Sequence, residues 1–187
     1  PISGMLLALG ETVFLVPVWI FVLRRNRAGS WRALGLRGFR PLAGCLGAAA
    51  IFFLALWINL AWGLVLQALG WSGQPSIAPL FGQGPAAAIL AVLGASIVAP
   101  LSEEIFFRGF AFPPLRRRFG FWLGAGINAA LFALLHFTPT VLPPLILLGL
   151  AFCLLYEYTG SIWPGIILHT SINSLALLGA WAVARGI

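Results

Sequence analysis

Long apolar runs separated by short polar stretches dominate the chain. The runs lie at about residues 2–23, 42–69, 85–112, 121–137, 141–158 and 162–184. Runs of roughly 20 residues have the length at which an α-helix crosses the hydrocarbon core of a bilayer. Proline, glycine, serine and threonine fill the connections between them, as expected of turns. The pattern predicts an all-α, polytopic membrane protein built as a single bundle of about six transmembrane helices.

The composition agrees with this interpretation. The chain has 187 residues, of which 61% are hydrophobic and 8% are charged, whereas a soluble domain has roughly 25% charged residues. No change in composition marks a second domain, so residues 1–187 are predicted to form one transmembrane domain. Within it, residues 1–84 would supply two N-terminal helices with a basic cytoplasmic connection. Residues 85–178 would form the catalytic core that bears the motifs.

The basic residues are placed to orient the chain in a membrane. The formal net charge is +7, and the arginines concentrate in segments 24–40 and 116–118, between apolar runs. Such loops stay on the cytoplasmic side and contact anionic lipid. The expected partner of these residues is therefore the lipid bilayer, not nucleic acid. The compact size and the use of arginine alone favour a bacterial plasma membrane protein.

One charged cluster interrupts the third apolar run. Its charged members are Glu103, Glu104 and Arg108, and ionisable groups inside a membrane indicate a functional site. Glu104 and Arg108 are four residues apart in the favourable acid-first order, which predicts an ion pair. Glu103 lies about 100° further round the helix. It is therefore expected to face a cavity, where a carboxylate can act as a general base.

Three further polar residues lie in later apolar runs. His169 and Asn173 share one face of the last helix because they are four residues apart. Counting from a predicted turn at 118–120 puts Glu103 and His136 at one depth, about 24 Å from the arginine side, and His169 at about 12 Å. Pro100 cannot donate a backbone hydrogen bond and should kink the third helix. Together with helix tilt and a helical or re-entrant arginine loop, this kink is expected to bring the groups into one site inside the bilayer.

Three motifs follow one another on successive helices. They are Glu103-Glu104-x-x-x-Arg108, Phe132-x-x-x-His136 and His169-x-x-x-Asn173, flanked by Phe106-Phe107-Arg108-Gly109 and Gly160-Ser161-Ile162-Trp163. In this order and spacing they resemble the CPBP family of intramembrane proteases, which includes the CAAX prenyl endopeptidases. The resemblance covers about residues 85–178. It implies hydrolysis of a peptide bond in a membrane-associated protein or peptide.

The resemblance also implies a role for each motif residue. Glu103 and His136 would activate the attacking water. His169 and Asn173 would stabilise the oxyanion, and Glu104 and Arg108 would support the geometry. No cofactor is favoured. In an alternative mechanism, zinc would be held by Glu103, His136 and His169, three ligands that leave an open position for water. The chain has no HExxH motif, and Asn173 suits an oxyanion donor better than a zinc ligand.

Two other functional classes are compatible with charges in a membrane. An ion-coupled transporter could use the same groups as a relay, but the chain shows no internal repeat of the kind common in transporters. A non-proteolytic immunity or scaffold protein could retain the bundle without needing the charges. The intact set of four polar residues favours the protease.

Overall fold

The computed structural model describes residues 2–25, 30–73 and 77–184. All regular elements within these ranges are helical, which confirms the predicted class. The α-helices are α1 (Ile2–Glu11), α2 (Leu15–Arg25), α3 (Ser30–Ala33), α4 (Pro41–Ala68), α5 (Pro85–Ala91), α6 (Ala99–Glu104), α7 (Phe112–Leu134), α8 (Leu142–Thr159) and α9 (Trp163–Ala184). Two π-helical segments, Val92–Val98 and Ile105–Ala111, join α5 to α6 and α6 to α7. Arg27, one of the predicted loop arginines, lies outside the described residues.

The apolar helices are long enough to cross a membrane. Four described helical stretches qualify by length and composition: Pro41–Ala68, Pro85–Leu134, Pro139–Thr159 and Trp163–Val183. The second stretch reverses direction at Gly120, whose φ of 77° is left-handed and favours glycine. It therefore makes two antiparallel passes, with the turn inside the predicted range. With the shorter apolar helix Thr12–Val22, the chain is an integral membrane protein whose helix count roughly fits the predicted bundle.

Two predicted boundaries were wrong. The first apolar run is divided by a 3-10 turn at Thr12–Phe14, where the Thr12 hydroxyl donates to the Leu9 carbonyl at 2.6 Å. Pro17 cannot donate to the carbonyl of residue 13, which weakens the helix at the same place. The third helix does not end at Pro113 and Pro114. After the π-helical turns α7 begins anew at Phe112, so both prolines fall within its first turn, where they are tolerated.

Side-chain contacts define two ends of the bundle. At one end, Arg37 Nε donates to the Gly160 carbonyl, and the Arg116 guanidinium pairs with the Glu157 carboxylate at 2.8 Å. These contacts gather the loop before α4, residues 116–118 and the turn between α8 and α9. We call this the arginine end. At the opposite end, Trp62 Nε1 donates to the Thr140 carbonyl at 2.6 Å. The described residues of the two arginine segments thus lie at one end of the bundle, as predicted.

Candidate active site

A single cavity of about 660 Å³ brings the four predicted catalytic residues together. Glu103 enters it from α6, His136 from the turn after α7, and His169 and Asn173 from α9. Buried aromatic residues, Phe107 and Phe132 among them, line the same cavity. A few polar groups converging in a mostly apolar cavity of this size are typical of a binding or active site.

The predicted ion pair lies directly behind the cavity. Arg108 Nη1 is 2.9 Å from Glu104 Oε1, and both side chains are buried. The guanidinium carbon lies 4.5 Å from the ring centroid of Phe132 and 4.6 Å from that of Phe152. Cation–π contacts with two rings compensate part of the cost of burying this charge. The position of Glu104 is therefore fixed both by its own helix and by the packing of two others.

His169 connects the two glutamates. Its Nδ1 is 3.2 Å from Glu104 Oε1, and its Nε2 is 3.8 Å from Glu103 Oε2. A carboxylate can only accept hydrogen bonds, so Nδ1 carries a proton and donates it to Glu104. The other nitrogen, Nε2, therefore lies on the side of Glu103. The ring orientation of His169 is set by the same carboxylate that holds Arg108.

The predicted offset in depth between His169 and the glutamates is absent. Gly165 is the third residue of α9, yet a Cβ atom built on it would lie only 3.0 Å from Glu104 Oε2. Helix α9 thus begins near the level of the glutamates, whereas the hairpin around Gly120 projects further at the arginine end. Counting from a common membrane surface was wrong because the two turns do not lie at one level.

His136 has a defined tautomer. Its Nδ1 lies 3.0 Å from the Phe132 carbonyl, which can only accept, so Nδ1 bears the proton in the neutral ring and Nε2 keeps its lone pair. His136 follows the span that ends at Leu134 and precedes the one that begins at Pro139. Burial lowers the pKa of His136, while the hydrogen bond to Phe132 raises it by a smaller amount. The neutral, basic form is therefore favoured.

The Asn173 side chain supplies a hydrogen bond that the proline at position 100 cannot donate. In the π-helical segment before α6, the Ala99 amide donates to the Gly94 carbonyl, five residues back. The next donor in that register would be residue 100, but proline has no N–H. The Asn173 side chain donates to the Ala95 carbonyl instead, at 2.9 Å. One N–H of its amide thus holds α9 to the helix that carries the glutamates.

Sequence reasoning missed a second buried polar group. Asn128 on α7 donates to the Phe107 carbonyl at 3.0 Å, and the Cys153 thiol donates to the Asn128 carbonyl oxygen at 3.3 Å. The Phe107 carbonyl also accepts from the Phe112 amide in the π-helical register. A fully buried asparagine in an apolar run was the available signal. It braces the segment that carries Arg108.

The donor groups do not form a metal site in this arrangement. Among the residues that the structure describes, no three side chains of His, Cys, Asp or Glu gather closely enough to hold an ion. The Nδ1 atoms of His136 and His169 donate to Phe132 and Glu104, which leaves Nε2 of each ring for the cavity. The alternative zinc ligands Glu103, His136 and His169 are therefore not gathered as a ligand set in this arrangement.

Two known proteins are similar in sequence to this chain. Over 89 residues it is 30% identical to a Bacillus subtilis (strain 168) protein described as "Putative membrane peptidase YdiL", a match that spans 48% of this chain and 36% of that one. Over 173 residues it is 27% identical to an "Uncharacterized 24.3 kDa protein" of Escherichia coli, covering 89% of this chain and 77% of the relative. The chain thus spans about a third of the length of the first relative. No solved structure matches it.

A family model matches the segment that contains the cavity. The model is described as type II CAAX prenyl endopeptidase Rce1-like, and it matches residues 85–175. That segment contains all three motifs and supplies each of the four polar residues of the cavity. Over these residues the chain is similar to the Rce1-like family of CAAX prenyl endopeptidases, the resemblance that its motifs predicted.

Proposed function

We propose that the protein is an intramembrane endopeptidase that hydrolyses a peptide bond in a membrane-associated protein or peptide. The observation that carries the proposal is the convergence of Glu103, His136, His169 and Asn173, from three parts of the chain, on one cavity. The family and the peptidase relative support the reaction class.

In the proposed mechanism, Glu103 and His136 activate water. Glu103 takes a proton from the attacking water as general base, and Nε2 of neutral His136 accepts a second hydrogen bond that orients it. The proton then passes from Glu103 to the amine of the leaving product. A positioned base of this kind contributes about 10²-fold to 10⁴-fold to the rate.

His169 and Asn173 act on the oxyanion of the tetrahedral intermediate. Because Nδ1 of His169 donates to Glu104, the ring donates into the cavity through Nε2 when that nitrogen also carries a proton. The amide of Asn173 has two N–H groups, of which one is used by Ala95. The other is available to the oxyanion. Loss of one such donor costs about 10²-fold to 10³-fold in rate.

A cleavage assay with matched variants tests the mechanism. The purified chain is given a quenched peptide library with and without a chelator, beside Glu103→Gln and the control Glu157→Gln. Glu157 is also a carboxylate on an apolar helix, α8, but it pairs with Arg116 outside the cavity. We expect Glu103→Gln to lose at least about 10²-fold in rate and Glu157→Gln to retain it. Activity that survives Glu103→Gln contradicts the mechanism, and zinc-restored activity after chelation contradicts the metal-free version.

A further inference from the structure

The cavity is closed at the arginine end. Its walls on that side are Phe107 and Phe132, which are 2% and 1% exposed. Behind them, Arg108 is held between Phe132 and Phe152 and paired with Glu104. A peptide approaching from the arginine end would have to break this buried ion pair. Breaking such a pair is strongly unfavourable, because it leaves an uncompensated charge buried.

The cavity is open at the opposite end. The lining there includes Leu135, which is 42% exposed, and Phe137, which is 85% exposed, across from Phe81, which is buried. Phe137 has a φ of 51°, the one positive value among the described residues that are not glycine. A bulky residue in this conformation carries backbone strain, which is retained mainly at functional positions. An exposed, strained aromatic side chain at the opening therefore suggests contact with an incoming chain.

Among the residues that the structure describes, the opening is apolar and carries no Asp, Glu, Lys or Arg side chain. The described segments at this end are 69–73, 77–84 and 135–141, and they contain no Asp, Glu, Lys or Arg. Trp71 adds a second exposed aromatic residue to this end. Such a surface suits an uncharged apolar peptide segment, because a charged one would lose hydration here without gaining a partner.

The arginine distribution assigns this opening to one side of the membrane. Of the 11 basic residues, six lie in segment 24–40 and three in 116–118, both at the arginine end where they are described. Positive loops remain in the cytoplasm. The end with the opening then faces the other side.

We infer that the substrate enters from the extracytoplasmic face, as an uncharged, apolar segment of an exported or membrane-anchored protein. This inference rests on the proposed peptidase function and adds to it a route of entry and a substrate class. Water for the hydrolysis would reach Glu103 by the same route.

Cysteine labelling in intact cells tests the route without using activity. In a Cys45→Ser background, which leaves only buried Cys153, single cysteines replace Ala176 in the cavity, Phe137 at the opening and Gly38 at the arginine end. A Cβ on Gly38 meets nothing within 4 Å. A membrane-impermeant thiol reagent should label the first two variants in intact cells and Gly38→Cys only after permeabilisation. Labelling of Gly38→Cys in intact cells, or of Ala176→Cys only after permeabilisation, would overturn the inference.

Sided cleavage tests the substrate class. An impermeant quenched peptide with apolar flanks is offered to spheroplasts and to sealed inside-out vesicles, beside a matched peptide with charged flanks. We expect at least tenfold faster cleavage by spheroplasts and a tenfold preference for the apolar peptide. Faster cleavage by inside-out vesicles, or equal use of the charged peptide, would contradict the inference. If neither preparation cleaves either peptide, the proposed peptidase function fails, and the labelling result still decides the route.

Discussion

The hydrogen bond from Asn173 to the Ala95 carbonyl predicts a specific coupling with Pro100. Replacing Asn173 by alanine leaves a buried carbonyl without its side-chain donor, since proline at position 100 supplies none. An unsatisfied buried acceptor costs about 1–3 kcal/mol, whereas single hydrogen bonds in membrane proteins average about 0.6 and reach about 1.7 kcal/mol. We therefore expect Asn173→Ala to lower the free energy of unfolding by about 1–1.5 kcal/mol.

The second substitution separates this structural role from the proposed catalytic one. Pro100→Ala restores an N–H that can donate to Ala95 in the existing register, so the double variant should recover most of the lost stability. Equilibrium unfolding of the four proteins in mixed micelles measures the coupling, with Ser171→Ala as a control on the exposed face of α9. Cleavage activity should remain low in the double variant, because the oxyanion donor is still missing. If the stability losses of the two single variants simply add in the double variant, the pairing of Asn173 with the Ala95 carbonyl in place of a donor at position 100 is refuted.

Three further predictions follow from packing and charge. Arg108→Met should lower the free energy of unfolding by about 3–5 kcal/mol, because it leaves a buried carboxylate without its partner. The control Arg116→Met removes an exposed ion pair and should change that free energy by at most about 1 kcal/mol. Unfolding in micelles measures both variants, and equal losses would contradict the prediction. Gly149→Ala should cost about 1–3 kcal/mol by the same measurement, since its Cβ would approach α7 to 2.9 Å, whereas Gly126→Ala has open space and serves as control. Because burial lowers the pKa of His136 from 6.5, the lone pair of its Nε2 should be retained as pH falls through 6.5, so a loss of peptide cleavage caused by protonation of His136 should be centred below pH 6.5; a decline centred above pH 6.5 would refute this.

The sequence predicted the site more completely than the boundaries of the helices. Three motifs with fixed spacing were enough to predict that Glu103, His136, His169 and Asn173 belong to one site, because helical spacing fixes faces and helix order fixes neighbours. The roles assigned to these residues remain predictions. The split at Thr12–Phe14 was missed because the apolar run continues on both sides of it, although Thr12 and Pro17 were available signals.

Register shifts explain most of what could not be predicted. Before Pro100 the helix is loosened into π-helical turns, and in that register the carbonyl that Pro100 leaves without a donor is that of Ala95, five residues back. A hydrogen bond to the residue five positions back instead of four leaves no trace in the apolar pattern, so the partner of Asn173 could not be predicted. The same holds for Asn128, whose acceptor at Phe107 lies in the second π-helical segment.

The pairing of Glu104 with Arg108 inside one helix has a consequence for biosynthesis. A charged residue at a helix centre costs about 2.5–3.5 kcal/mol during membrane insertion, but these two can neutralise each other as soon as their own turn is helical. The span can therefore leave the translocon before α8 and α9 have been made. His169 and Asn173 lie on α9, which is synthesised after the span that carries Glu103. A nascent chain would thus carry its proposed general base in the membrane while it still lacks the proposed oxyanion donors, and proteolysis would require α9 to be in place.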